Sequence, residues 1–316
     1  MKVVFSRSDI EPYNNTVVTV GTFDGVHEGH REIVREVVRR AKARGGRSVV
    51  VTFEPHPKEV LTKASVQLLT TLEERQQLIE ELGPDILFVI RFTYEFSRQN
   101  FREFYLNYFI NGIGVSEIVE GYDHHFGRDR EGNVEELVRL GKEFGLSIVV
   151  VKPFIVDGEV VSSSKIRQYL LDGNVERARV ILGRPYSMSG TVVRGDGRGK
   201  QLGYPTANIV LASSKKLIPR DGIYFVGVKV DGTLHPGMAS IGVRPTFSSN
   251  GHRTIEANIL DYHDDLYGKS IEIQFLKRLR DELKFDSAEA LIAQMNKDKQ
   301  ESLKLQEEFA SLFYST

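Results

Sequence analysis

Apolar and polar residues alternate along the first half of the chain with two different periods. Short apolar runs rich in Val and Ile, typical of buried strands, are separated by longer segments with an apolar residue every three or four positions, typical of amphipathic helices. The strand runs lie at 17–20, 48–53, 85–90, 116–121 and 147–151. The helical patterns lie at 29–41, 72–82, 101–110 and 133–145. This alternation predicts βαβ units, and therefore an α/β domain with a doubly wound parallel sheet.

The pattern changes near residue 184. Two helical segments, 162–173 and 174–183, are expected to close the first domain, and short alternating strands follow from Tyr186 onward. Asp231-Gly232 after a strand predicts a hairpin, and a final helix is expected from about Ser287. Many short strands without helices between them indicate a barrel or a sandwich. We therefore predict two domains, 1–183 and 184–316.

Composition and charge narrow the classes of partner. The chain has 316 residues, a formal net charge of -1 and no Cys, which excludes disulfides and thiolate metal sites. The balanced charge favours neither nucleic acid nor an anionic membrane as a partner. No apolar run is long enough for a signal peptide or a membrane span. We expect a cytoplasmic protein, and weak self-association into a homo-oligomer stays open.

The most informative stretch is VVTVGTFDGVHEGH, at 17–30. It predicts a strand, a turn containing Gly21 and Gly25, and a helix that starts near His27 and His30. A bare His-x-x-His pair is usually two surface histidines, or part of a metal site that would need a third ligand. Here both imidazoles lie at a predicted helix N-terminus, whose free N–H groups suit phosphate. Phosphoryl or nucleotidyl transfer is therefore the favoured interpretation.

Two further features are open to more than one interpretation. Asp24 either binds Mg²⁺ or fixes the turn. The segment SSSKIR, at 162–167, combines three hydroxyls with two cations at a predicted helix start, and so suits phosphate as well. Taken alone, this segment would be an N-cap serine with solvated basic residues. Together with the histidines in a doubly wound domain, it favours a triphosphate site.

The C-terminal half contains a glycine-rich basic loop followed by Pro-Thr-Ala-Asn, at 190–209. The loop fails the P-loop and Rossmann spacings, so a solvated surface loop remains an alternative. Thr206 and Asn208 are two apart, so in an extended segment both face one side and offer hard oxygen ligands for Mg²⁺. Glu256 alternates with the apolar residues of 254–260. It is either an exposed strand residue or a general base that accepts the proton of an alcohol during phosphorylation.

These segments resemble the bacterial bifunctional riboflavin kinase/FMN adenylyltransferase family, also called FAD synthetase. The adenylyltransferase module is matched in order by GTFDGVHEGH (21–30), FEPHP (53–57), GYDHHFGRDREGN (121–133) and SSSKIR (162–167). The resemblance implies that His27, His30 and Arg167 act on the ATP phosphates in catalysis. It places around ATP and its phosphates the residues Gly21, Phe23, Asp24, Gly25, Gly29, Ser163 and Ser164. Asp123 would lie near the nucleotide or the flavin.

Two positions depart from the usual family pattern in this module. Ser164 stands where the family usually has Thr, and the hydroxyl is retained. His124 stands where many members have Phe, which leaves the role of this loop in flavin or nucleotide stacking open.

The kinase module is matched by RGDGRGKQLGYPTAN (194–208), DGIYFVGV (221–228), GMASIGVRPTF (237–247) and the stretch 255–285. The resemblance implies a six-stranded β-barrel with a C-terminal helix. It implies that Thr206 and Asn208 hold Mg²⁺ and ATP phosphates, and that Glu256 deprotonates the riboflavin 5′-hydroxyl. Gly199 and Lys200 would cover the nucleotide, and Arg280 would lie in the flavin pocket.

The implied activity has two steps. The barrel would phosphorylate riboflavin with ATP to FMN, and the N-terminal domain would join FMN to AMP from a second ATP, giving FAD and pyrophosphate. Two alternatives remain open. One is an adenylyltransferase for another acceptor, such as nicotinate mononucleotide or phosphopantetheine. The other is a flavin-binding or regulatory protein in which one module is inactive.

Overall fold

The computed structural model describes residues 1–62, 65–122, 132–195, 203–243 and 253–314. Contacts between residues divide the chain into two compact units, Met1–Ser163 and Ser164–Thr316. Within the described ranges, no helix is both long enough and apolar enough to cross a membrane.

The first unit is built on a parallel sheet of six strands in the order β1-β4-β3-β2-β5-β6. The strands are β1 (Lys2–Val4), β2 (Thr16–Val20), β3 (Arg47–Glu54), β4 (Ile86–Arg91), β5 (Val115–Gly121) and β6 (Ser147–Val151). The predicted parallel α/β sheet is confirmed. The sequence pattern missed β1, because three residues are too few to show a period.

Helices connect these strands, and α1 packs on the sheet with the predicted apolar stripe. The helices are α1 (Glu28–Ala43), α2 (Pro57–Thr62), α3 (Leu72–Glu80), α4 (Tyr94–Ser97), α5 (Phe101–Phe104), α6 (Asn111–Ile113) and α7 (Val134–Phe144). The stripe of α1 buries Val34, Val37, Val38 and Ala41. A 3₁₀ turn, Arg7–Asp9, follows β1, and a two-stranded hairpin of β7 (Ile155–Val156) and β8 (Glu159–Val160) follows β6.

The segment predicted as one helix over 101–110 is not a regular α-helix. Its α-helical part ends at Phe104, and Tyr105–Ile110 forms a π-helix. The π-helix lies in an aromatic core. The rings of Phe104 and Phe109 lie 5.0 Å apart between centroids, and both are fully buried.

The sheet has a switch point between β2 and β5. From β2 the chain proceeds to β3 on one side, whereas from β5 it proceeds to β6 on the other side. In doubly wound sheets, ligands bind in the crevice that such a switch opens at the carboxyl ends of the strands. The segment that leaves β2 at this point is the glycine-containing turn that leads to α1.

The second unit contains a closed antiparallel barrel of six strands in the order β10-β13-β12-β11-β14-β9. The strands are β9 (Tyr186–Val193), β10 (Ala207–Leu211), β11 (Gly222–Val230), β12 (Thr233–Val243), β13 (Arg253–Ile259) and β14 (Ser270–Arg280). The helices are α8 (Ser163–Leu171), α9 (Val175–Leu182), α10 (Ala288–Glu308) and α11 (Ala310–Phe313). The barrel and the terminal helix expected from the resemblance are confirmed.

The compact units do not end where the sequence pattern changes. Helix α9 contacts the barrel strands β9 and β14, so it belongs by packing to the second unit, although its sequence resembles the helices of the first domain. The boundary at 183/184 stays a prediction based on sequence character.

The predicted hairpin at Asp231-Gly232 joins β11 and β12. Asp231 has φ 48° and Gly232 has φ 88°, and positive φ at both central residues is the requirement of a type I′ turn. A Cβ added at Gly232 would meet nothing within 4 Å. The demand for glycine at this position is therefore conformational rather than steric.

We expect Gly232→Ala to lower the free energy of unfolding by about 1–2 kcal/mol, because an L side chain disfavours left-handed backbone. Urea titration followed by circular dichroism measures the loss. Gly232→Asn is the control and should lose less, since Asn adopts positive φ more readily. Equal losses for Ala and Asn would contradict this account of the turn.

Candidate functional site

The turn after β2 is held in an unusual backbone conformation. Phe23, Gly25 and Val26 have φ of 48°, 87° and 38°, and such values in two non-glycine residues need strong support from packing. Phe23 and Val26 are buried in an apolar cluster with residues of α1, α3, β3 and β4. A Cβ at Gly21 would come within 3.2 Å of the Phe23 ring. A side chain at Gly21 would therefore press on the Phe23 ring, which folds back over this part of the backbone.

The two predicted histidines lie together at the start of α1. His27 is the N-cap residue, and its Nδ1 accepts the backbone N–H of His30 at 3.3 Å. The two imidazole rings stack with centroids 3.6 Å apart and an angle of 18° between their planes. The rings of Phe23 and His30 form a T-shaped pair with centroids 5.2 Å apart. A Cβ at Gly29 would lie 3.3 Å from the His27 ring. These four residues form one packed group.

The bond at Nδ1 determines what His27 offers to a ligand. A neutral imidazole that accepts at Nδ1 carries its hydrogen on Nε2 and can donate from that atom. The first amides of α1 and the positive end of its dipole lie at the same place. The arrangement is therefore suited to an anion such as a phosphate group.

Asp24 supports the turn through a buried hydrogen-bond network. Its carboxylate accepts the N–H groups of Leu69 and Thr70 at 3.0 and 2.9 Å, and the hydroxyl of Thr70 at 3.1 Å. The same hydroxyl accepts the N–H of Gly25 at 2.9 Å. Of the two roles considered for Asp24, these bonds support the fixing of the turn. A direct role with ATP stays a prediction.

The serine-rich segment reaches this turn through one residue. The Ser163 hydroxyl donates to the backbone carbonyl of Asp24 at 2.8 Å, across 139 positions of sequence. Ser164 and Arg167 follow in α8, three positions apart, and therefore on neighbouring positions of one helix face. Both belong to the second compact unit, and their roles stay predictions.

The sequence analysis missed a supporting residue, Arg75 of α3. Its Nη1 donates to the Thr22 carbonyl at 2.7 Å and to the Thr52 hydroxyl at 3.1 Å, and its Nη2 pairs with Glu54 at 2.8 Å. Arg75 is 3% exposed, and this burial lowers the pKa of its guanidinium. The guanidinium ties the turn after β2 to the end of β3.

A sequence pattern could have revealed Arg75. It lies three positions after Leu72 and four before Ile79, so it falls within the apolar stripe of α3. A cation on the buried side of a helix is rarely left without a partner. The pattern indicates a buried Arg, although it does not tell which groups the Arg binds.

The barrel brings together the three residues predicted for its site. Thr206 donates its hydroxyl to Glu256 Oε2 at 3.0 Å, and Asn208 of β10 pairs with Glu256 of β13 in the strand register. A Cβ at Gly195 would lie 2.1 Å from Asn208 Nδ2. A side chain at Gly195, which the sequence analysis did not single out, would therefore force the Asn208 amide to move from its present position.

The other residues predicted for the two sites are Arg280, Asp123, Gly199 and Lys200. Arg280 donates from Nε and Nη2 to the buried carboxylate of Asp298 at 3.0 and 2.8 Å, which ties β14 to α10. Its predicted contact with flavin is untested. Asp123, Gly199 and Lys200 lie outside the described residues.

The described part of the chain contains no group of three or more His, Asp or Glu side chains arranged to hold a metal ion. Within those residues, the interpretation of the histidine pair as a metal site therefore lacks its third ligand.

The first unit thus has a helix N-terminus with two stacked histidines at the switch point of its sheet, and the second unit has a hydroxyl–carboxylate pair on a closed barrel. Both arrangements suit an enzyme that transfers phosphate groups. The FAD synthetase family model matches residues 9–165, and the riboflavin kinase family model matches residues 182–306. The chain belongs to the bifunctional riboflavin kinase/FMN adenylyltransferase family.

Curated relatives of that name match most of the chain. The protein of Listeria monocytogenes is 38% identical over 290 residues, 91% of each chain, and that of Bacillus subtilis is 36% identical over 299 residues, 93% of each. A solved Streptococcus pneumoniae structure described as a macrolide-efflux protein is 33% identical, with a TM-score of 0.86 over 94% of this chain and 97% of that one. This likeness supports the fold, and the efflux name applies to that protein alone.

We expect Asp24→Ala to lower the free energy of unfolding by about 2–4 kcal/mol, because two buried amides lose this acceptor. Asp24→Asn is the matched control and should lose less, since one acceptor oxygen remains. Urea titration measures both changes. A loss below about 0.5 kcal/mol for Asp24→Ala, the range of ordinary surface substitutions, would show that the network does not hold the turn.

Proposed function

We propose that the histidine pair at the start of α1 serves FMN adenylylation and that the Thr206–Glu256 pair serves riboflavin phosphorylation. As a member of its family, the chain converts riboflavin to FMN with one ATP and FMN to FAD with a second. The observation that carries the assignment of sites is the stacked histidine pair, which caps a helix at the switch point of the sheet.

In the kinase step, the riboflavin 5′-hydroxyl oxygen forms a bond to the γ-phosphorus of ATP while the bond to the ADP oxygen breaks. The hydroxyl proton needs an acceptor, and Glu256 is the carboxylate proposed for it. Glu256 lies half-buried on the face of β13 opposite to the buried Ile255 and Ala257. The hydroxyl of Thr206 holds one carboxylate oxygen in place, which restricts the direction in which the base can act.

In the adenylyl step, a phosphate oxygen of FMN forms a bond to the α-phosphorus of ATP, and pyrophosphate leaves. Charge grows on the α-phosphate oxygens and on the leaving group. We propose that His27 Nε2–H, His30 and the first amides of α1 donate to that charge. Arg167, Ser163 and Ser164 are proposed to act on the triphosphate, in agreement with the contact between Ser163 and the turn.

The kinase site has a donor set that suits Mg²⁺. The Thr206 hydroxyl, the Asn208 amide and the Glu256 carboxylate offer hard oxygen atoms on neighbouring positions. Because Thr206 directs its hydrogen at Glu256, its oxygen lone pairs point elsewhere. We propose that Thr206 and Asn208 hold the ion, which would screen the polyphosphate charge.

Further proposals concern the remaining predicted residues and the cellular setting. Gly199 and Lys200 would cover the kinase nucleotide, Asp123 would lie near the adenylyltransferase ligands, and Arg280 would face flavin from a side chain already fixed by Asp298. We also propose a cytoplasmic location, in agreement with the absence of Cys, and weak self-association into a homo-oligomer.

The two alternative functions are less well supported. An adenylyltransferase for another acceptor would have no use for a second module that matches riboflavin kinase over residues 182–306. A regulatory protein with one inactive module would not need to keep the His27–His30 pair and the Thr206–Glu256 pair together in one chain.

We expect His30→Ala to slow FAD formation from supplied FMN by about 100–1,000-fold, the usual effect of removing a charge-stabilising donor. FMN formation from riboflavin should stay within about twofold, because Glu256 and Thr206 are untouched. Chromatographic separation of the flavins measures both rates. His263→Ala, at an exposed histidine, is the matched control.

We expect Glu256→Gln to give the opposite result. The amide keeps the shape of the side chain but is a far weaker base, so FMN formation should fall by about 100-fold or more. FAD formation from supplied FMN should persist, and Glu272→Gln on β14 provides the control. If either variant lost both activities while remaining folded, the assignment of separate sites would be wrong.

A further inference from the structure

The end of β2 is bonded differently on its two sides. Toward β3 the pairing continues to Val20, and the N–H of Gly21 donates to the Val51 carbonyl at 3.0 Å. Toward β5 the pairing ends at Val18, opposite Ile118. Because successive N–H groups of a strand point to alternate sides, the N–H of Val20 faces β5 beyond the point where that pairing stops.

A side chain replaces the missing backbone acceptor. Glu120 of β5 accepts the N–H of Val20 on Oε1 at 3.0 Å. Glu120 is 2% exposed and Val20 is 3% exposed, so bulk water has little access to this amide. The neighbouring Tyr105 is fully buried, and burial together with the charge of Glu120 raises the pKa of its phenol.

The replacement has a geometric consequence. A backbone–backbone hydrogen bond holds two strands about 4.8 Å apart. An acceptor at the end of a side chain satisfies the amide without requiring the two backbones to come that close. The carboxyl ends of β2 and β5 can therefore separate at the switch point while the backbone of β2 stays fixed. The next residues, Gly21 to Val26, form the constrained turn that delivers His27 to the start of α1.

We propose that Glu120 is a positioning residue for adenylyl transfer, which fixes the end of β2 and thereby the histidine pair. It does not touch the reacting atoms. This inference rests on the proposed assignment of the adenylyltransferase site to that pair. A small displacement of such groups costs up to about 100-fold in rate, so the effect of losing Glu120 should appear in kcat rather than in substrate affinity.

The test compares Glu120→Ala with Glu120→Gln in the full chain. In Glu120→Ala we expect kcat for FAD formation to fall about 10–100-fold, with KM for ATP within about threefold and FMN formation within about twofold. Glu120→Gln keeps an acceptor oxygen and should retain kcat within about threefold of the parent. Hydrogen exchange of the peptide spanning 17–25 should accelerate in the Ala variant and not in the Gln variant.

Two results would overturn the proposal. One is a folded Glu120→Ala protein with kcat within about threefold of the parent enzyme, and the other is a Gln variant as slow as the Ala variant. If Glu120→Ala does not fold, Glu120→Val supplies the same test with a residue that favours strands. Failure of the proposed function would show in a different experiment. In that case the His30→Ala variant would form FAD as fast as the parent protein.

Discussion

The first unit depends on how the backbone of β2 is satisfied where the sheet divides. Beyond Val18, β2 no longer pairs with β5, yet its end must still hold the turn that leads to α1. Val20 donates to the carboxylate of Glu120 on the β5 side, and Gly21 donates to the Val51 carbonyl on the β3 side. Arg75 holds the carbonyl of Thr22 immediately afterwards. Because buried backbone groups without partners are costly, these bonds fix the path of the turn.

The fold could be predicted largely from periodicity, because most of its elements are long enough to show one. The apolar stripe of α1 and the start of α10 after Ser287 are both confirmed. The failures have physical reasons. β1 is too short to show a period, and no local pattern distinguishes the π-helix at Tyr105–Ile110 from an α-helix. The assignment of α9 to a unit depends on its packing against the barrel, which includes contacts with β14, a strand that is distant in sequence.

For the candidate sites, the sequence predicted the main residues but not all the residues that support them. Motif spacing indicated the histidine pair and the Thr206, Asn208 and Glu256 group, and the structure brings the members of each set together. The supporting residues were only partly predictable. The apolar stripe of α3 indicates that Arg75 is buried but not which groups it binds, and Glu120 resembles an ordinary charged residue until the pairing of the strands buries it. Asp24 illustrates the same limit, since its spacing left two roles open and only its bonds to Leu69 and Thr70 favour the structural one.

The central claim is that one chain transfers two different phosphorus atoms from ATP at two sites. Incubation of the protein with riboflavin, Mg²⁺ and ATP labelled at either the α- or the γ-phosphorus, followed by separation of the flavins, tests this most directly. The account predicts the γ-label in both FMN and FAD, and the α-label in FAD alone. Absence of γ-label from the flavins, or absence of α-label from FAD, would contradict it.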